Sequence, residues 1–181
     1  MTAHESNMDY LLVRWIASMT AVEVYAIWEW YAEERLTRAL ANSPRHFLEE
    51  NDIRGLKSIP IGLATVLVRG GNRYFDFRST GDLIDKANRL VGKSENPFRN
   101  LPTQVKRYLD TLGAIRNYVV HQSDSALVSY KKYLTEVYNI KSKPEPDEFL
   151  NAIDKRASSL TRFKPRLVGL MGTVKQAIDH S

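Results

Sequence analysis

The chain contains no cysteine, which excludes disulfides, thiolate metal sites and a cysteine nucleophile, and fits a reducing compartment. Histidine is scarce. His4, His46, His121 and His180 stand far apart, so a histidine-rich metal site is not expected. The most apolar stretch, Tyr10 to Ala32, is interrupted by Arg14, Glu23 and Glu29. Its longest uncharged run, Trp15 to Val22, falls far short of the ~20 residues of a spanning helix. The basic region and cleavage site of a signal peptide are also missing. The expectation is a soluble, cytoplasmic protein with no membrane partner. Neither GxGxxG nor GxxxxGK[ST] occurs, and Gly169 and Gly172 have the wrong spacing for a phosphate loop. The GxSxG, HExxH and zinc-deaminase patterns are absent as well. Nothing in the sequence asks for a cofactor or a metal.

What is present describes an ordinary globular chain. Of 181 residues, 43% are hydrophobic and 26% charged. A chain of this length can bury about 70% of its unfolded surface in a single domain. The net charge of +5 is uneven: residues 1–90 carry 11 basic against 12 acidic side chains, and residues 91–181 carry 15 against 9. A basic C-terminal half suits a polyanion such as RNA, although the Lys131/Lys132 and Lys141/Lys143 pairs also read as solvated faces.

The pattern is mainly helical. Asp9 to Ala41 lacks Pro and Gly and predicts one long helix, stopped by Asn42-Ser43-Pro44. Leu12, Ile16, Met19, Ile27 and Trp30 form one apolar stripe, and Val22, Tyr25 and Leu36 lie on another. A helix apolar on several faces belongs inside a bundle or at an oligomer interface. Glu23 shares the first stripe, so burial with a partner is expected for it. A short helix follows over Pro44 to Asn51. Val66 to Arg69 and Arg73 to Phe77 flank Gly70-Gly71-Asn72, which predicts a small β-hairpin near residues 65–78. Further helices are predicted from Asp82 to Val91, from Gln104 to about Val119, from Ala126 to Tyr138, from Asp147 to about Leu160, and from Pro165 to Ile178. The fold class is a mainly α bundle. It forms one domain over 1–181, with a core over about 9–138 and a C-terminal helical elaboration over about 147–179.

One segment carries chemistry: Leu112-Gly113-Ala114-Ile115-Arg116-Asn117-Tyr118-Val119-Val120-His121-Gln122. A permanent cation, an amide and an imidazole meet near the end of an amphipathic helix, directly before a polar stop at Gln122-Ser123-Asp124-Ser125. No other Arg stands four to six residues before a His.

Arg116, Asn117 and His121 resemble the R-x4-6-H signature of the HEPN superfamily, in which a polar residue usually follows the Arg. The first helix looks similar too, since many members carry an acidic residue there between aromatic or aliphatic neighbours. Glu29 in Trp28-Glu29-Trp30-Tyr31 fits that position, and Glu23 in Val22-Glu23-Val24-Tyr25 is a second candidate. The resemblance covers about residues 9–41 and 97–138. It implies an all-helical homodimer and a metal-independent ribonuclease of toxin–antitoxin, antiphage or stress-response type, with RNA as substrate and an antitoxin or regulatory protein as a further partner. Members paired with a nucleotidyltransferase antitoxin commonly carry Tyr two residues after the motif His, where this chain has Ser123. The alternative is a HEPN module that binds RNA, a nucleotide or a partner without cleaving.

The chemistry can be argued without the resemblance. RNA supplies its own nucleophile, the 2′-OH, so the protein need only move protons and stabilise the charge of the transition state. An imidazole such as His121 exchanges protons near neutral pH. The guanidinium of Arg116 can hold phosphate oxygens in a fork. Asn117 can bind phosphate or fix the imidazole tautomer, and Glu29 or Glu23 can orient Arg116. Five residues at about 100° each put Arg116 and His121 about 140° apart on a straight helix. They converge only if the helix bends or ends at His121, or if two chains complete one site. Two plainer roles remain open: an Arg116 ion pair with Asp110, Glu23 or Glu29, and a His121 that meets the helix dipole.

Overall fold

The computed structural model describes residues 3–153 and 165–181. Among them are eight helices and no strand; the sole β feature is an isolated bridge between Ile153 and Pro165. The helices are α1 (Ala3–Asn42), α2 (Arg45–Glu50), α3 (Ile61–Arg69), α4 (Thr80–Glu95), α5 (Thr103–His121), α6 (Asp124–Tyr138), α7 (Pro146–Asn151) and α8 (Arg166–Asp179). The chain divides into two compact units, Met1–Ala26 with Arg107–Gln176, and Ile27–Lys106 with Ala177–Ser181.

In the first unit, the buried face of α1 is built on small residues, Ala17 and Ala21, together with Val24 and Tyr25. Small side chains allow a neighbouring backbone to come close. At Gly113 of α5 a Cβ would stand 2.8 Å from the Tyr25 hydroxyl, so any larger residue there would force Tyr25 to shift. An aromatic chain joins α5, α6 and α7. Tyr118 stacks on Tyr130 at 5.7 Å, Tyr130 meets Phe149 edge-on at 6.4 Å, and Phe149 meets Tyr138 at 4.8 Å. The buried Tyr130 donates its hydroxyl proton to the Pro144 carbonyl at 3.0 Å, satisfying the one polar atom that burial would otherwise penalise. Arg166 of α8 lies over the Phe149 ring at 4.9 Å.

In the second unit, Trp28 is fully buried and meets Phe98 edge-on at 6.0 Å. Arg69 of α3 pairs with Glu33 of α1 at 2.6 Å, and the Tyr31 hydroxyl meets Ser181 at 2.9 Å. The buried Asn96 ties the end of α4 back onto itself, donating to the Ile84 carbonyl at 3.0 Å and accepting from the Phe98 N–H at 2.8 Å.

Several expectations change. No hairpin forms near 65–78. Val66, Leu67 and Val68 belong to α3, whose Ala64 and Val68 are buried one helical turn apart, and Gly70 is its left-handed C-cap at φ 62°. The glycine pair ends a helix instead of turning a ribbon. The cap of α4 is Ser79, which accepts from the Asp82 N–H at 3.2 Å, and α7 begins on a Glu145/Glu148 capping box in place of Asp147. α7 ends at Asn151, where Ala152 turns extended at ψ 139° and Ile153 bridges Pro165, so the expected run to about Leu160 stops short; residues 154–164 lie outside the described ones. Finally, the stripe of Leu12, Ile16, Ile27 and Trp30 faces outward, and Glu23 with it: Leu12 is 53% exposed and Trp30 67%. Packing selected the alanine-bearing face of α1, which permits closer approach than the bulky one. By length and composition α1 is also long and apolar enough to cross a membrane.

Candidate active site

α5 presents the motif. Leu109, Leu112 and Ile115 are buried, anchoring the helix, while Arg116 is half-buried and Asn117 and His121 are exposed. Arg116 Nη1 donates to Asn117 Oδ1 at 2.8 Å, so the amide holds part of the guanidinium fork. His121 is the last helical residue. Gln122 turns left-handed at φ 48°, and its N–H closes the helix on the Tyr118 carbonyl at 2.9 Å. Ser123 then caps α6, its hydroxyl accepting from the Ala126 N–H at 3.3 Å. The imidazole therefore stands at a two-residue junction between helices.

Regular helix persists through His121, so the angular offset of about 140° from Arg116 remains. Asn117 and Val120 lie within that arc, and Tyr118 and Val119 lie on the opposite side. Glu29 is half-buried on α1 and belongs to the second unit, whereas Arg116, Asn117 and His121 all lie in the first. The first unit thus carries all three motif residues on one helix, with Arg116 and His121 on different faces. Glu23 shares that unit but is exposed.

On the Tyr118 and Val119 side opens a cleft of about 670 Å³ that the sequence reading missed. Arg14 and Trp15 of α1, Tyr118 and Gln122 of the motif, and Glu145 and Asp147 at the start of α7 contribute to its wall. Tyr118 donates its hydroxyl to Glu145 Oε2 at 3.4 Å. Burial, then the negative charge of Glu145, raises the Tyr118 pKa, so it remains a donor throughout the neutral range. Arg14 forms a close ion pair with Asp147 and a second contact with Glu148 at 3.6 Å. Burial pushes the Asp147 pKa up, but the hydrogen bonds from Arg14 and the Glu148 backbone, with the Arg14 charge, outweigh it and lower the net value. The signal for this cleft was weak because Glu145 sits in a Lys- and Pro-rich linker.

A larger cleft of about 1160 Å³ lies in the second unit beside His46 and Gly92. Two of its cations are already paired, Arg45 with Glu49 at 2.7 Å and Arg54 with Asp52 at 3.1 Å. None of the motif residues lines it. Among the described residues no three His, Asp or Glu side chains cluster so as to hold a metal ion. Comparison with protein-family models, curated proteins and solved structures finds no match to this chain.

Proposed function

We propose that the protein is a HEPN-type, metal-independent endoribonuclease that acts as a cytoplasmic homodimer. The observation that carries the reading is the end of α5, where Asn117 holds Arg116 and His121 stands exposed as the last helical residue. RNA brings a 2′-OH beside each phosphate. As the 2′-O–P bond forms and the P–O5′ bond breaks, the His121 imidazole takes the 2′-OH proton and delivers a proton to the departing 5′-oxygen. The guanidinium of Arg116 stabilises the charge gathering on the non-bridging oxygens. The products are a 2′,3′-cyclic phosphate and a 5′-OH.

Convergence of an arginine and an imidazole favours a site made by two chains, because the 140° offset separates Arg116 from His121 within one helix. Exposed Leu12, Ile16, Ile27 and Trp30 on α1 supply apolar surface for such an interface, and twofold symmetry is the commonest arrangement. The ion pairs of Arg14 with Asp147 and Glu148 favour α1 as part of a folded soluble unit over a bilayer span. An antitoxin or other regulatory protein is the further partner. The test is incubation of the purified protein with mixed RNA in EDTA, from pH 6 to 8, resolved on a gel. Fragmentation is expected. Intact RNA that still binds would replace the enzyme by a non-catalytic RNA-binding module.

A further inference from the structure

The cleft beside the motif has the wrong charge for a phosphate. Its one cation, Arg14, is committed to Asp147 and Glu148. Glu145 is exposed, and no cation pairs with it among the described residues. Its carboxylate accepts from the Tyr118 hydroxyl and from the α7 capping N–H, which leaves lone pairs unused. The wall also holds Trp15, 61% exposed, and the exposed Gln122 with its amide. A flat aromatic surface beside a carboxylate suits a neutral planar ligand that presents hydrogen-bond donors.

We propose that this cleft is a nucleobase subsite selective for guanine, with Glu145 reading the base and Trp15 stacking on it. Guanine is the RNA base whose pairing edge offers two adjacent donors, N1–H and the 2-amino group. The two carboxylate oxygens match that spacing, as in other bidentate carboxylate pairs. Adenine and cytosine would each turn an unprotonated ring nitrogen toward the carboxylate, and uracil would turn a carbonyl. The repulsion of those edges gives selectivity as surely as the attraction of guanine. Gln122 can donate to O6. Stacking on aromatic side chains with reading of the pairing edge is the usual physics of single-stranded RNA recognition. Gln122 directly follows His121, so a base in the cleft leaves its ribose and phosphate at the helix end. The placement of the phosphate rests on the ribonuclease reading, whereas binding of the base does not.

The test uses the full-length wild-type protein with GMP, IMP and AMP, followed by calorimetry and by tryptophan fluorescence, with Trp15→Phe assigning the optical signal. GMP is expected to bind about tenfold or more tightly than AMP. IMP, which lacks the 2-amino donor, should fall between them. Glu145→Gln, which keeps an oxygen for the helix cap, should remove the preference for GMP. Equal affinities, no saturable binding, or an unchanged preference in Glu145→Gln would overturn the proposal. Saturation by arginine amide with no effect of nucleotides would also overturn it, in favour of a cationic ligand. Guanine selectivity without RNA cleavage would sink the enzyme and leave the subsite. Cleavage by the wild type with no preference for guanine would do the reverse.

Discussion

Arg116 Nη1 and Asn117 Oδ1 lie 2.8 Å apart, a hydrogen bond between chain neighbours whose side chains point about 100° apart on a helix. The bond bends the guanidinium toward the amide and limits its rotamers, so the fork is partly organised before a phosphate arrives. Asn117→Ala should therefore lower kcat by about tenfold, with a smaller change in KM, because a hydrogen bond of this kind contributes roughly 1–2 kcal/mol. Steady-state kinetics on a short RNA would check this, and an unchanged kcat would remove Asn117 from the site.

Gly113 sets how closely α5 approaches α1 within the first unit. A Cβ there would meet the Tyr25 hydroxyl at 2.8 Å and its ring at 2.9–3.0 Å. Gly113→Ala should lower stability by about 1–3 kcal/mol through overpacking, a cost that outweighs the helix propensity gained, about 1 kcal/mol. Thermal melts would show this as a reduced Tm. A raised Tm would mean that Tyr25 yields freely.

Much of the helical framework was legible in the sequence because α1, α4, α5 and α6 combine apolar spacing with recognisable ends. Two things were not. Gly70-Gly71 allows either a hairpin turn or a left-handed helix cap, and β-branched Val66 and Val68 favoured the wrong choice until the burial of Ala64 and Val68 decided it. The outward face of α1 was misjudged because hydrophobicity alone does not say which of two stripes packs; Ala17 and Ala21 won by size. At the candidate site, Arg116, Asn117 and His121 were readable from local spacing. Glu145 was not, since it reaches the motif only through the fold, by way of Tyr118.

Acid should weaken the fold through Asp147. Its folded pKa lies below the unfolded carboxylate value of about 4, so its stabilisation is complete above that pH and is lost as pH falls through the lower folded value. Asp147→Asn should melt below the wild type at pH 7, and the gap in Tm should close as pH falls toward 2. A gap independent of pH would show that the Arg14–Asp147 pair contributes nothing through charge.

The exposed stripe of α1 should be an interface. Light scattering should give about twice the 20.8 kDa chain mass at micromolar concentration, and a double Leu12→Glu, Ile16→Glu variant should give the monomer with its helicity intact. Mixing inactive Arg116→Ala and His121→Ala chains should restore about a quarter of wild-type activity, since half the dimers are mixed and each holds one intact site. No recovery from a verified mixed dimer would confine the site to one chain.

The central claim is that Arg116 and His121 drive attack of the RNA 2′-OH on its own phosphate. Its most direct test is end-group analysis of RNA cut in EDTA by the wild type, Arg116→Ala and His121→Ala. The wild type should leave 2′,3′-cyclic phosphate and 5′-OH ends, and both variants should keep their Tm and lose most cleavage. Fragments with 5′-phosphate ends, or normal turnover by both variants, would contradict the account.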